Sequence, residues 1–276
     1  MSGVLSIVAT PIGNLGDLSD RARATLAAAD LVVAEDTRRT GRLLAGLGID
    51  ARLRSLFEGN ERERTPDVLR RLLDGADVAL VSDGGMPLVS DPGYWLVSAC
   101  IDAGVLVQVV PGPSAVLAAL AISGLPPDRF SFEGFPARTV GERRQRLASL
   151  AHDPRTLVFF ESPRRTVGFL REIATALGDR RVAVCRELTK LHEEVVRGRI
   201  EEVLQRLSTQ PLRGEVTIVV EGDHEGPPVD VAAAVAVARA LVAAGRRKRD
   251  AAHQVAAETG ASANEIYRAL LDRDVP

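Results

Sequence analysis

Val81-Ser82-Asp83-Gly84-Gly85-Met86-Pro87-Leu88-Val89-Ser90-Asp91-Pro92-Gly93 is the stretch on which the fold turns. The apolar run Val78–Ser82 leads into it, and a helical pattern opening at Pro92 leads out. Proline suits a first helical turn because the N–H it lacks would have no intrahelical acceptor there. A strand, a glycine-rich turn and a helix in that order form the repeating unit of α/β proteins. The glycine pair lets backbone come close to a ligand and leaves N–H groups free to bind it. Ligands of open α/β sheets sit beyond the carboxyl ends of the strands, where this turn falls. On local chemistry a second reading stands beside that one, a tight connection with Asp83 and Asp91 as caps.

The alternation repeats in both directions. Strand patterns cover Leu5–Ala9, Leu31–Ala34, Val105–Val110, Phe130–Gly134, Thr156–Glu161, Arg181–Arg186, Glu194–Arg199 and Glu215–Glu221. Helical spacing covers Asp20–Ala29, Pro66–Asp74, Pro92–Ala103, Ser114–Ser123 and Arg164–Leu177. Several strands are continuous apolar runs, the pattern of parallel sheets covered on both faces. Pro126-Pro127-Asp128 stops a helix, because the residue before a proline is pushed out of the helical region. A polar stretch, Gly222–Pro228, precedes a tail with no strand pattern. The expected organisation is an α/β domain over 1–125, a second over 126–222 and a helical tail over 223–276, with Gly260 turning between its last two helices.

Composition narrows the function classes. The chain has 276 residues, 46% of them hydrophobic, enough for a large core. Its formal net charge of −2 excludes a strongly basic overall field, so any nucleic-acid contact must come from local patches. Cys100 and Cys185 lie in apolar runs and read as buried free thiols, and no Cys/His spacing suggests a metal. Met1–Ala9 has no basic segment followed by a long apolar one, and no window has the ~20 apolar residues that span a bilayer. The expectation is a cytoplasmic protein without a membrane segment. No G-x-x-x-x-G-K-[ST] occurs, and Thr10-Pro11-Ile12-Gly13-Asn14-Leu15-Gly16-Asp17 lacks the third glycine of a dinucleotide fingerprint, which argues against nucleotidase and nicotinamide chemistry.

Other strand ends carry polar groups. Val109-Val110-Pro111-Gly112-Pro113-Ser114-Ala115 offers small residues to a flat ligand, or a rigid connection. Glu35-Asp36-Thr37-Arg38-Arg39-Thr40 reads as a base with phosphate-binding arginines, or as a capped helix start. Glu161-Ser162-Pro163-Arg164-Arg165 and Arg186-Glu187-Leu188-Thr189-Lys190-Leu191-His192-Glu193 place charge where desolvation makes it costly. Arg138, Arg143, Arg144 and Arg146 form a further basic cluster. Arg246-Arg247-Lys248-Arg249 leads into the tail's last helices, suiting phosphates or a solvated cap.

Taken in order, A-T-P-I-G-N-L-G-D, A-E-D-T-R, S-D-G-G-M-P-L-V-S-D-P-G, P-G-P-S-A, F-F-E-S-P-R-R and C-R-E-L-T-K resemble one family. It is the ribosomal RNA small-subunit 2′-O-ribose methyltransferases (methyltransferase I) of the tetrapyrrole-methylase, class III superfamily. The motifs span residues 9–190, and the helical tail resembles the family's C-terminal extension. The resemblance implies two α/β domains with S-adenosylmethionine in the cleft between them, and a homodimer. It places Asp83, Gly84, Gly85, Met86 and Pro87 beside the cofactor, with Ser114, Ala115, Glu161, Leu188, Val216 and Thr217. The family loop commonly reads S-D-A-G-T-P; here Gly84 and Met86 stand for its alanine and threonine.

Methyl transfer from an activated sulfonium needs in-line placement in a dry cleft, and help in deprotonating or stabilising the acceptor oxygen. The expected catalytic groups are Glu35 or Asp36 as base or orienter, Arg38 on a neighbouring phosphate and Lys190 on the developing oxyanion. The expected RNA contacts are Arg39, Arg164, Arg186, Arg246, Arg247, Lys248 and Arg249. The expected substrate is a cytidine ribose in the decoding region of 16S ribosomal RNA within the small subunit; a porphyrin-like small molecule is the alternative acceptor. No metal is expected.

Overall fold

Short, largely buried strands build two sheets, described by a computed structural model over residues 2–209, 211–224 and 230–271. The first contains β1 (Val4–Val8), β2 (Leu31–Ala34), β3 (Leu53–Ser55), β4 (Val78–Val81) and β5 (Leu106–Val110), in the order β3-β2-β4-β1-β5. Every pairing in it is parallel. Leu5, Leu31, Val33, Val78 and Leu80 point to one face, where Val68, Leu72, Leu96 and Cys100 cover them. Val8, Val32, Ala34, Ala79 and Val81 point to the other, beneath Ala22, Leu26 and Leu44. Burial on both faces is why these strands read as unbroken apolar runs.

The second sheet contains β6 (Phe130–Gly134), β7 (Thr156–Glu161), β8 (Arg181–Arg186), β9 (Glu194–Arg199) and β10 (Val216–Val220), in the order β6-β7-β10-β8-β9. The parallel pairing expected from the alternation holds here only between β6 and β7; the other ladders are antiparallel. The connection over 187–193 is too short for a parallel crossover, which needs about a dozen residues, so β8 and β9 form a hairpin.

The helices are α1 (Asp20–Ala28), α2 (Thr37–Gly46), α3 (Glu61–Leu73), α4 (Tyr94–Asp102), α5 (Ala115–Ser123), α6 (Val140–Ser149), α7 (Pro163–Leu177) and α8 (Ile200–Leu207). Two expected helix starts move. Helix α4 begins at Tyr94 rather than Pro92, because Gly93 at its N-cap holds φ 132°. Helix α3 begins before Pro66: its buried face runs Glu61, Thr65, Val68, Leu72, and the polar first half hid it from an apolar pattern. Helix α5 packs on the second sheet, where Val116, Ala119 and Leu120 meet Val158, Ala183, Cys185 and Val219. Ile12 and Val89, from strand-end loops of the first sheet, join the same cluster. Both thiols are free and buried; burial pushes Cys100 up to about 11 and Cys185 up to about 12, which makes them poor nucleophiles.

Residues up to 222 make one compact unit and those from 223 a second. In the second, α9 (Val231–Ala243), α10 (Lys248–Thr259) and α11 (Ala263–Leu271) enclose Ala234, Ala238, Val255, Ile266 and Leu270. Gly260 ends α10 in the left-handed region at φ 75°. The polar stretch expected to link the units lies partly outside the described residues. Among those described, no helix is long and apolar enough to cross a membrane.

Candidate active site

A cavity of about 500 Å³ opens at the carboxyl ends of β1 and β4, against the adjoining ends of β7 and β10. Its first wall is the stretch Asp83–Met86 with Val89, Ser90 and Asp91. Backbone geometry sets this wall. Gly85 holds φ 89° and exchanges two 2.9 Å hydrogen bonds with Thr10, donating to its carbonyl and accepting from its N–H. Leu88 and Ser90 hold φ 72° and 64°. The far end is tied down by Glu61, a buried carboxylate on α3 whose Oε1 accepts from the N–H groups of Gly93 (3.0 Å) and Trp95 (2.7 Å). Glu61 thereby caps α4, which has no side-chain cap of its own.

The opposite wall is built on charge. Lys190 lines the cavity, its Nζ donating to Glu187 Oε1 (2.8 Å) and Glu215 Oε2 (3.0 Å). Burial opposes the ammonium charge, but these two carboxylates outweigh it and raise the lysine above its ordinary range, so it is a fixed cation. Glu187 and Thr189 hold φ 52° and 67°. Gly214, at φ 83°, leaves the space in which Glu187 lies: a Cβ there would sit 2.1 Å from Glu187 Oε1. Gly13 does the same for Lys190, whose Cγ is 2.4 Å from the position of a Cβ on Gly13. Among the described residues, every non-glycine with left-handed φ lies in one of these two loops. Such conformations persist only where the surroundings enforce them, and they cluster at ligand sites.

Small and aromatic groups complete the lining: Ser114 and Ala115 at the start of α5, Phe135 and Phe160 with rings 5.4 Å apart, and Val216 and Thr217 on β10. Glu161 is buried here. Its Oε1 accepts from Ser162 N at 2.7 Å, whereas Oε2 lies 3.4 Å from Arg165 without a hydrogen bond from any described group. That oxygen keeps capacity to accept a hydrogen bond from a water or a ligand in the cavity.

The structure gathers Asp83, Gly84, Gly85, Met86, Ser114, Ala115, Glu161, Lys190, Val216, Thr217 and Arg39 around one cavity. Arg39 donates to Asp83 at 2.9 Å. Pro87 is buried next to the lining, and Leu188, not itself in the lining, packs in the apolar cluster under α5 with the lining residues Ile12, Val89, Ala115 and Val116. Glu35 is half-buried at the end of β2 and outside the lining; burial, then the charges of Asp91 and Asp83, raise it above the usual carboxylate range. Asp36 caps α2 through the Arg38 N–H at 2.8 Å and pairs with the exposed Arg38 guanidinium. That hydrogen-bonded pair holds Asp36 at about 2, a weak base at neutral pH. Arg186 is engaged with Glu194 across the β8–β9 hairpin, and Arg164 lines a separate groove beside Leu207 and Leu212. Of the nearby basic cluster, Arg143 is paired with Glu172 and Arg146 with Glu133. In the tail, Arg246, Arg247 and Arg249 are exposed, and Arg246 donates to Gln254. Lys248 Nζ donates to the Leu270 carbonyl at 2.6 Å, closing α11. Glu61, Gly13, Phe135, Gly214 and Glu215 are site residues that sequence reasoning missed; only Gly13 sat in a stretch already singled out. No group of three or more potential metal ligands exists among the described residues.

The sequence profile described as Tetrapyrrole (Corrin/Porphyrin) Methylases matches residues 4–204. A Mycobacterium tuberculosis protein named Ribosomal RNA small subunit methyltransferase I is 48% identical over 274 residues, covering 98% of this chain and 95% of that protein. Its Escherichia coli O157:H7 namesake is 42% identical over 275 residues, 98% of this chain and 96% of that protein. A Thermotoga maritima namesake is 48% identical over 221 residues, 80% of this chain but 99% of that protein. Among solved structures, the methyltransferase CobJ superposes with a TM-score of 0.61 at 19% identity, over 80% of this chain and 95% of its own. A Thermus thermophilus uroporphyrin-III C-methyltransferase complexed with S-adenosyl homocysteine superposes with a TM-score of 0.57 at 24% identity, over 79% and 97%. At those identities the structures share the fold.

Proposed function

The chain belongs to the tetrapyrrole methylase family and to its ribosomal RNA small subunit methyltransferase I members, and from that premise we propose that it methylates small-subunit ribosomal RNA, at the 2′-hydroxyl of a cytidine in the decoding region. The single observation that carries this reading is the near full-length likeness to relatives of that name, coupled to one cavity with a glycine wall and a lysine wall.

The cofactor is S-adenosylmethionine, and the lining suits it. About 500 Å³ falls within the ~300–1,000 Å³ of small-molecule sites. The Phe135 and Phe160 rings suit a flat base, the Glu161 Oε2, paired only loosely with Arg165, suits hydroxyl donors, and the absent side chains of Gly84 and Gly85 leave backbone accessible. When bound, the cofactor would supply an electrophilic sulfonium methyl group, with a neutral thioether as its leaving group. The protein then has to orient the acceptor oxygen, exclude water and stabilise the charge that develops as the hydroxyl proton leaves. Lys190 fills the last role, because a permanently charged ammonium held by Glu187 and Glu215 needs no reorganisation. Of the two acidic candidates, both outside the cavity lining, Glu35 with its raised carboxyl is the stronger base, since Arg38 holds Asp36 low.

A homodimer and a cytoplasmic location belong to the same reading. Edge strand β5 exposes Leu106 and Val109, and α4 exposes Tyr94 and Ile101, apolar surface that a second copy would cover. The tail's exposed arginines are offered to RNA phosphates. The test uses tritium-labelled S-adenosylmethionine and small subunits from a strain lacking the enzyme, followed by nucleoside analysis. Label in 2′-O-methylcytidine is expected. No label in RNA, with cofactor binding intact, would overturn the reading and favour a small-molecule acceptor such as a tetrapyrrole.

A further inference from the structure

Away from the cavity, a groove of about 540 Å³ runs along the outer edge of β3, lined by Thr37, Arg52, Arg54, Ser55, Arg64 and Arg71. Four arginines on one groove stand out in a chain whose formal net charge is −2. Local compensation is thin. Asp67 is shared by Arg54 (2.6 Å), Arg70 (3.0 Å) and Arg71 (3.5 Å). Glu63 approaches Arg64 only to 4.0 Å. Although burial opposes it, the surrounding guanidinium charges hold Asp67 below the usual carboxylate range, so this carboxylate stays ionised and is still outnumbered.

The side chains of Arg64 and Arg71 stay 39% and 41% exposed, so their guanidinium groups can be reached from the groove. One carboxylate shared among three guanidinium groups leaves the groove with more positive charge than its own acidic groups balance, which suits an anionic ligand. Arginine's planar fork matches phosphate oxygens, and the Thr37 and Ser55 hydroxyls add donors that suit the same ligand. Arg64 and Arg71 are seven positions apart on α3, about 10 Å along the helix, more than one phosphate reaches. The groove therefore fits a chain of phosphates. It also leads towards the cavity: Thr37 follows Asp36, whose N–H donates to Asp83 Oδ1 on the cavity wall at 3.2 Å.

We propose that the β3-edge groove binds the phosphodiester backbone of the substrate RNA beside the nucleotide presented to the cavity, with Arg52, Arg54, Arg64 and Arg71 as its phosphate contacts. The assignment rests on the RNA-methylating function above. It gives the catalytic unit an RNA contact of its own, independent of the helical tail. It also accounts for RNA binding by an acidic chain, since the cations are concentrated along one groove.

The test measures binding of the full-length protein to small ribosomal subunits by filter retention from 50 to 200 mM KCl. Arg52→Ala/Arg64→Ala is compared with wild type and with Arg21→Ala/Arg23→Ala, which removes two exposed arginines from α1 outside the groove. The groove variant should bind at least tenfold more weakly at low salt. Its log–log salt slope should flatten by about 1.5, since each lost phosphate contact removes about 0.7–0.9. S-adenosylhomocysteine affinity should stay at the wild-type value, which reports that the variant is folded. Arg52→Ala alone, at an exposed position, should give half the slope change. Unchanged affinity and slope, or an equal loss in the α1 variant, would overturn the groove while methyl transfer by wild type leaves the functional reading intact. Absence of both subunit binding and transfer in wild type would overturn the two together.

Discussion

The two loops that face each other across the cavity are strained in the same way but act by different means. The Asp83–Gly93 loop offers backbone and small side chains, held open by Gly85 and Gly93 and tied at its end by Glu61. The Glu187–Glu193 loop offers a charge, with Glu187 and Thr189 taking left-handed φ so that Lys190 reaches both carboxylates. On the proposed function, one wall would hold a ligand by shape and the other would stabilise charge that appears during reaction. A shape wall governs affinity in the ground state, whereas a fixed cation acts mainly in the transition state.

Variants on the charge wall test that division first. Lys190→Ala should lower methyl-transfer turnover by about 100-fold or more, the cost of losing one preorganised oxyanion partner. Wild-type turnover should not decline as pH rises through the range where an ordinary lysine deprotonates, because Glu187 and Glu215 raise the Lys190 pKa. Single-turnover rates from pH 7 to 10.5 measure both. Turnover within threefold of wild type at neutral pH would remove Lys190 from the chemistry.

Gly214→Ala should have a smaller effect by the same route. Its Cβ would fall on Glu187 Oε1 and must displace that carboxylate, lowering turnover by roughly tenfold, the scale of the 1–3 kcal/mol a strained non-glycine residue carries. In the Lys190→Ala background the same change should cost nothing further. Additive losses would show that Gly214 acts on something other than the lysine.

The contrast between the loops is also a contrast in what the sequence discloses. The first is legible because glycines, prolines and acidic residues at a strand end have few other uses. The second contains no glycine, and its strain falls on Glu187 and Thr189, residue types that signal nothing. From the residues alone it reads as a charge cluster, and Lys190 stands out only once methyl transfer to an oxygen is assumed and a cation for the developing oxyanion is sought. Glu61 is illegible for another reason: its partners Gly93 and Trp95 lie 32 and 34 positions away. The arginine groove is hidden because its residues belong to β3 and α3, one a three-residue edge strand without an apolar signature, the other a helix whose first turns are polar. Where strands are buried almost throughout, in β1, β2, β4 and β7, their unbroken apolar runs made the strand positions follow directly. Where pairing depended on connection length, in β8 and β9, the parallel expectation failed.

The most direct test of this division of labour is a calorimetric titration of S-adenosylhomocysteine into wild type, Gly85→Val and Lys190→Ala. Valine at φ 89° is strained by about 1–3 kcal/mol, with its Cβ 3.4 Å from Ile12 in the cavity wall, so affinity should fall about tenfold or more. Lys190→Ala should bind within threefold of wild type. Loss of binding in Lys190→Ala together with wild-type affinity in Gly85→Val would contradict the account, because charge would then be holding the cofactor and shape would not.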